Sequence, residues 1–171
     1  MRITDKYIFF WGDWPSNWYP CHFVVKENGE ELGFSSSEQY FMWKKAKTFG
    51  DEETAKKILK RGHNPRTAKA LGREVRNYDN EIWDDLRYDV MVDANYYKYS
   101  QNKDLKEMLL NPELEGKHFC EASPKDLIWG VGLSENDPLI DNEKNWLGDN
   151  LLGKVLDEVR IDLLEEKHEE N

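Results

Sequence analysis

Glu31-Leu32-Gly33-Phe34-Ser35-Ser36-Ser37-Glu38-Gln39-Tyr40-Phe41-Met42-Trp43-Lys44-Lys45 carries the chain from strand to helix, and that switch sets its class. Residues 31–34 and 22–26 flank Asn28-Gly29, a dipeptide that tolerates the left-handed backbone of a tight hairpin turn. Ser35 followed by Glu38 has the spacing of a capping box, which predicts a helix through about residue 47. Outward toward the N-terminus, Tyr7-Ile8-Phe9-Phe10-Trp11 reads as a short strand stopped by Gly12-Asp13. These three pieces predict a small antiparallel sheet. Outward toward the C-terminus the signals are helical. Asn64-Pro65 supplies a cap and an N1 proline for a helix toward Leu71, which Gly72 ends. Trp83, Leu86, Arg87, Val90, Met91 and Ala94 recur at helical spacing, and Leu151, Leu152, Val155, Leu156, Val159 and Leu163 form a closing amphipathic stripe. The expectation is an α+β fold, mostly helical, with its small antiparallel sheet near the N-terminus. It occupies one domain over residues 1–164, followed by a frayed acidic tail over 165–171.

The composition excludes several classes. The 171 residues include 22 aromatics and carry a net charge of −10, at a mean hydropathy of −0.87. Rings in that number can fill a core, so the chain is not a disordered one. No apolar run approaches the length of a membrane span, and the first residues lack a signal-peptide core. Two cysteines, Cys21 and Cys120, make neither a disulfide framework nor a zinc cluster, which fits a cytoplasmic protein with free thiols. His22, His63, His118 and His168 are scattered, so no metal and no cofactor is expected. The negative balance disfavours a nonspecific grip on duplex DNA. A local basic run, Lys44, Lys45, Lys47, Lys56, Lys57, Lys60 and Arg61, still leaves a surface able to meet a strand.

Three stretches carry chemistry. On a helix, Glu38, Phe41, Met42 and Lys45 share one face, so a carboxylate and an amine leave an apolar stripe together. The competing structural reading has Glu38 capping the helix and Lys45 extending past the core to water. The second stretch is Phe119-Cys120-Glu121-Ala122-Ser123-Pro124-Lys125-Asp126-Leu127-Ile128-Trp129-Gly130-Val131-Gly132, which lacks strand or helix periodicity and reads as a loop. Glu121 and Asp126 offer carboxylates there, Trp129 a ring, and Gly130 and Gly132 a close backbone approach to a phosphate or ribose. A turn with a packed Trp is the plainer account. The third runs from Tyr7 to Phe23, where eight of seventeen residues are aromatic and Asn17 is the polar exception. Arg87 lies on the apolar face of its helix, suited to hold a phosphate or to form an internal ion pair. Asn150, directly before the last helix, suits a cap or a ligand contact.

In their order and spacing these residues resemble the NADAR family of N-glycosidases (YbiA-like proteins). The likeness is carried by Ser16-Asn17, Ser37-Glu38-Gln39-Tyr40, Lys45-Ala46, Leu71-Gly72-Arg73, Trp83 with Arg87, and Lys98 with Gln101-Asn102. It continues through Glu121-Ala122-Ser123-Pro124, Asp126, Trp129-Gly130, Gly132-Leu133 and Gly148-Asp149-Asn150-Leu151-Leu152-Gly153. The resemblance implies a YbiA-like fold and hydrolysis of a ribosyl C–N bond. The implied substrate is a small phosphorylated ribosyl metabolite, such as a ribosylamino-pyrimidine phosphate of riboflavin biosynthesis, or ADP-ribosylated guanine, free or in DNA or RNA. Glu38 and Lys45 are then the leading catalytic pair, with Glu121 and Asp126 second. Asn17, Gln39, Arg73, Arg87, Trp129, Gly130, Gly132 and Asn150 are the implied substrate contacts. The sequence departs from the family at Trp43, where a small residue is usual. A non-catalytic module that binds ADP-ribose or a nucleotide is the alternative, against which the presence of both Glu38 and Lys45 speaks.

Overall fold

A computed structural model describes residues 1–171. In chain order the elements are β1 (Arg2–Ile3), β2 (Tyr7–Phe10), β3 (Phe23–Glu27), β4 (Glu30–Phe34), α1 (Ser37–Thr48), α2 (Glu52–Arg61), α3 (Pro65–Gly72), α4 (Asn80–Ser100), α5 (Lys103–Leu109), β5 (His118–Glu121) and α6 (Leu151–Glu170). The class is the expected one, α+β and mostly helical. The elements belong to two compact units, one over residues 17–106 and one built from residues 1–16 with 107–171.

In the unit of residues 17–106, β3 and β4 form the predicted hairpin, with Phe23 opposite Phe34 and Glu27 opposite Glu30. Asn28 and Gly29 both have positive φ, as a turn matching the strand twist requires. Phe23 and Phe34 stack at 5.5 Å, and Tyr40 and Trp43 of α1 meet Phe34 at 5.2 and 5.3 Å. Trp43 is thus a core residue, 2% exposed. The helix begins one residue later than the Ser35–Glu38 spacing predicts. Ser36 is the N-cap and accepts from Gln39 N–H, while Gln39 Oε1 reaches back to Ser35 N–H. Gln39, not Glu38, holds the capping-box position, though its bond goes to the residue before the cap. Its amide also donates to the Ile58 carbonyl, so fully buried Gln39 braces α1 against α2.

Helix α2 has no counterpart in the sequence reading. Its N-cap, Asp51, accepts from Thr54 N–H, Arg76 N–H and Arg76 Nη2, which ties the segment after α3 to the start of α2. The Arg76 contacts foremost, with those from Thr54, hold the Asp51 carboxyl far below the usual range. Asp51→Ala is expected to lower stability by about 2 kcal/mol, the upper end for a lost cap, measured by denaturant unfolding. Because its pKa is depressed on folding, Asp51 stabilises above about pH 4 and stops doing so as pH falls through the folded value. The variant should therefore show a shallower acid decline than the wild type.

In the other unit, β2 is central, with β1 antiparallel on one side and β5 parallel on the other. This corrects two expectations. Residues 7–10 do not join the hairpin's sheet, and residues 118–121 are a strand, not loop. Tyr7 pairs with His118 and Phe10 with Glu121, partners more than a hundred positions away. All four β2 residues are buried, and a strand covered on both faces shows no alternation to reveal its partner. Helix α6 packs on β5 and continues to Glu170, so the residues after Leu164 are helical, where fraying was expected. Cys21 and Cys120 are free thiols, and no helix is long and apolar enough to cross a membrane.

Candidate functional site

Glu38 sits in the first turn of α1, 6% exposed, and its N–H donates to the Asn17 carbonyl at 3.1 Å. It is the second residue of α1, one short of the position from which a side chain closes a capping box. Asn17 is 7% exposed, and its Oδ1 accepts from Asn95 Nδ2 of α4 at 3.3 Å. Asn95 Oδ1 and Ser37 Oγ, both buried, have no hydrogen-bond partner, leaving polar capacity beside Asn17 and Glu38.

Two turns along α1, half-buried Lys45 donates to the Gly72 carbonyl at 2.9 Å and lies 4.6 Å from the Tyr78 ring centroid. Burial lowers its pKa, attraction to Glu38 opposes the shift, and repulsion from Arg73 adds to it. The expected pair therefore does come together, electrostatically coupled, with Arg73 near the amine. A Cβ on Gly72 would collide with the Met42 side chain, so glycine here brings α3 close enough to present its carbonyl to Lys45. Arg73 is exposed at the C-cap of α3. Arg87 instead pairs with Asp84 on its own helix at 3.0 Å. The ion pair is the observed role for Arg87; nothing draws it toward Lys45.

A second lysine of this unit, Lys98, is shielded from water. It is fully buried on α4, with its amine 5.0 Å from the Tyr99 ring centroid and 5.7 Å from that of Tyr19. Burial brings its pKa down to about 7, against a small opposing attraction to Cys21. The signal was present: Met91, Ala94 and Lys98 continue one helical stripe, and a lysine on that stripe has no route to water. Because the folded amine gives up its proton near pH 7 while the unfolded one holds it to 10.5, stability should gain from Lys98 as pH rises between those values. The rise in denaturant midpoint from about pH 7 to about pH 9 is expected to be smaller in Lys98→Met than in the wild type. An identical rise in both would contradict the assignment.

The remaining candidates lie in the other unit, around the turn after β5. Asn150 has left-handed backbone (φ 52°), and its side chain makes no cap bond to α6. Its Oδ1 accepts from Glu121 N–H and its Nδ2 donates to the Phe119 carbonyl, so one amide serves β5 as an adjacent strand would. The cap expected of Asn150 is not its observed role. Asp126 Oδ1 accepts from Ile128 N–H and Trp129 N–H, which shapes its own turn. Gly130 and Gly132 are packing positions. A Cβ on Gly130 would lie 3.0 Å from the Asp126 and Glu121 carbonyls, and one on Gly132 2.8 Å from Leu127. Leu151 and Leu152, the first N–H groups of α6, donate to the Ile128 and Trp129 carbonyls, so that helix end is already satisfied. Half-buried Glu121, at the end of β5, remains the carboxylate of this unit suited to chemistry.

Taken alone, the geometry around α1 sets a carboxylate and a depressed-pKa amine on one face, suited to splitting a bond that develops opposite charges. The comparisons with known proteins concern the family. The sequence profile described as the NADAR domain matches residues 9–164. An N-glycosidase of Acanthamoeba polyphaga mimivirus is 43% identical over 166 residues, covering 92% of this chain and 96% of that protein. A riboflavin biosynthesis protein of Vibrio vulnificus is 31% identical over 153 residues, 88% of this chain but 35% of its own length. The NMR structure of the E. coli protein YbiA superposes with a TM-score of 0.75 at 27% identity, covering 98% of this chain and 90% of that one. The chain belongs to the NADAR domain family, whose N-glycosidases it matches over nearly their whole length.

Proposed function

We propose that this NADAR N-glycosyl hydrolase cleaves a ribosyl C–N bond, releasing a heterocycle from a phosphorylated ribosyl compound. The observation that carries the reading is the coupling of buried Glu38 to half-buried Lys45 on one face of α1. As the C–N bond breaks, positive charge gathers on the sugar and negative charge on the departing nitrogen. Glu38 stabilises the first and orients the water that adds to C1; Lys45 supplies a hydrogen bond or proton to the second. Arg73 is the phosphate holder. The similarity to a riboflavin biosynthesis protein supports a ribosylamino-pyrimidine phosphate as substrate. ADP-ribosylated guanine is the other substrate of this reading, and it rests on the family resemblance.

A covalent route is supported by a separate observation. An amine must be neutral to form an imine with the opened sugar, and burial lowers the pKa of the half-buried, and so accessible, Lys45 amine. Borohydride added during turnover is expected to fix the sugar to the protein. Mapping the adduct to Lys45 identifies the nucleophile, and the lack of any adduct during active turnover refutes the route. The function itself is tested by offering purified protein both substrate classes and following free base by chromatography. Release from either supports the hydrolase. Binding of both without release would establish the nucleotide-binding module instead.

A further inference from the structure

The charge of this protein is unevenly placed. Residues 56–76 contain eight Lys and Arg against one Glu, a net +7, within a chain whose total is −10. They lie on α2, α3 and the segment after it, and Lys56, Lys60, Arg61, Arg66, Lys69 and Arg73 are all exposed. On α3, Arg66, Lys69 and Arg73 stand at i, i+3 and i+7, one face of the helix, in a row about 10 Å long. Salt bridges in this unit use Lys47, Lys57, Arg76 and Arg87 and leave that row without an acidic partner.

The middle and one end of the row adjoin the site. Lys69 lies 5.9 Å from the Trp18 ring centroid, and Trp18, 36% exposed, directly follows Asn17, whose carbonyl holds Glu38. Arg73 is the cation that repels Lys45. A small metabolite phosphate needs one or two such groups. A row of three beside an accessible aromatic ring matches a chain of phosphates with an unstacked base.

We propose that the Arg66–Lys69–Arg73 face of α3, with Trp18, is a docking surface for single-stranded nucleic acid, the row tracking the sugar–phosphate backbone and the ring stacking a base. Duplex fits poorly, because its bases are not free to meet Trp18. The surface does not depend on which bond the site breaks, and its test uses unmodified strand.

The experiment measures binding of a fluorescent single-stranded 12-mer as a function of salt, starting near about 50 mM. Three phosphate contacts predict a log–log slope of about −2 for the wild type. Arg66→Gln/Lys69→Gln should weaken binding at least about 10-fold and reduce the slope by about 1.4. Lys103→Gln/Lys154→Gln, which changes the net charge equally, should leave both values near wild type. Trp18→Ala should weaken binding at least about 5-fold with an unaltered slope, with native circular dichroism confirming the fold. Equal weakening by the two double variants, tighter binding of duplex or heparin than of strand, or no binding near about 50 mM salt would each overturn the proposal.

Discussion

Glu38→Gln and Lys45→Ala are each expected to lower the rate of base release by at least about 100-fold, with smaller changes in KM. Glu38→Gln keeps the shape of the first turn and the N–H to Asn17 while removing the charge that faces the developing cation. The loss should therefore appear in kcat. Lys45→Ala removes the amine that Gly72 and Tyr78 hold in place. The two effects should be less than additive, because each group stabilises one end of the same polarised bond. A Lys45→Arg variant separates charge from proton transfer. It restores a cation but cannot deprotonate, so it should recover binding and not turnover. Full turnover in both Glu38→Gln and Lys45→Ala would remove the site from α1 while leaving the hydrolase assignment in place.

Gly153→Ala should destabilise the protein by about 3 kcal/mol or more, the upper range for overpacking. Two effects oppose each other here. In an ordinary helix interior, alanine would gain up to about 1 kcal/mol over glycine. In α6, a Cβ at position 153 would strike the Phe119 carbonyl and both side-chain amide atoms of Asn150. The struck atoms are those of the amide bridge to β5, and a backbone carbonyl in a buried strand cannot retreat as a flexible side chain can. The steric effect therefore wins. Denaturant unfolding checks it against exposed Lys154→Ala, which should change stability by less than about 0.5 kcal/mol. Equal stabilities for the two variants would refute the close approach of α6 to β5.

The hairpin, α3, α4 and most of α6 were legible because their signals are local: Asn28-Gly29, Asn64-Pro65, and stripes repeating within a few turns. The cap of α1 was misplaced by one residue because Ser35, Ser36 and Ser37 are equivalent as letters. Only packing selects Ser36, by setting Gln39 between Ser35 and the Ile58 carbonyl. The consequence is that Glu38 stands at the second position of α1, one short of the capping-box position.

Sequence by itself determined the helical α+β class, the common face of Glu38 and Lys45, and the family, since these depend on residue type and spacing. Tertiary structure decided the parallel pairing of residues 7–10 with 118–121, whose partners are distant and whose burial on both faces erases periodicity. It also showed the internal contacts of Asn150, Asp126, Gly130 and Gly132, which a sequence cannot display because a polar side chain or glycine reads the same whatever its partner. And it found Lys98, whose letter looks like any surface lysine until the packing of α4 takes it out of water and changes its acidity.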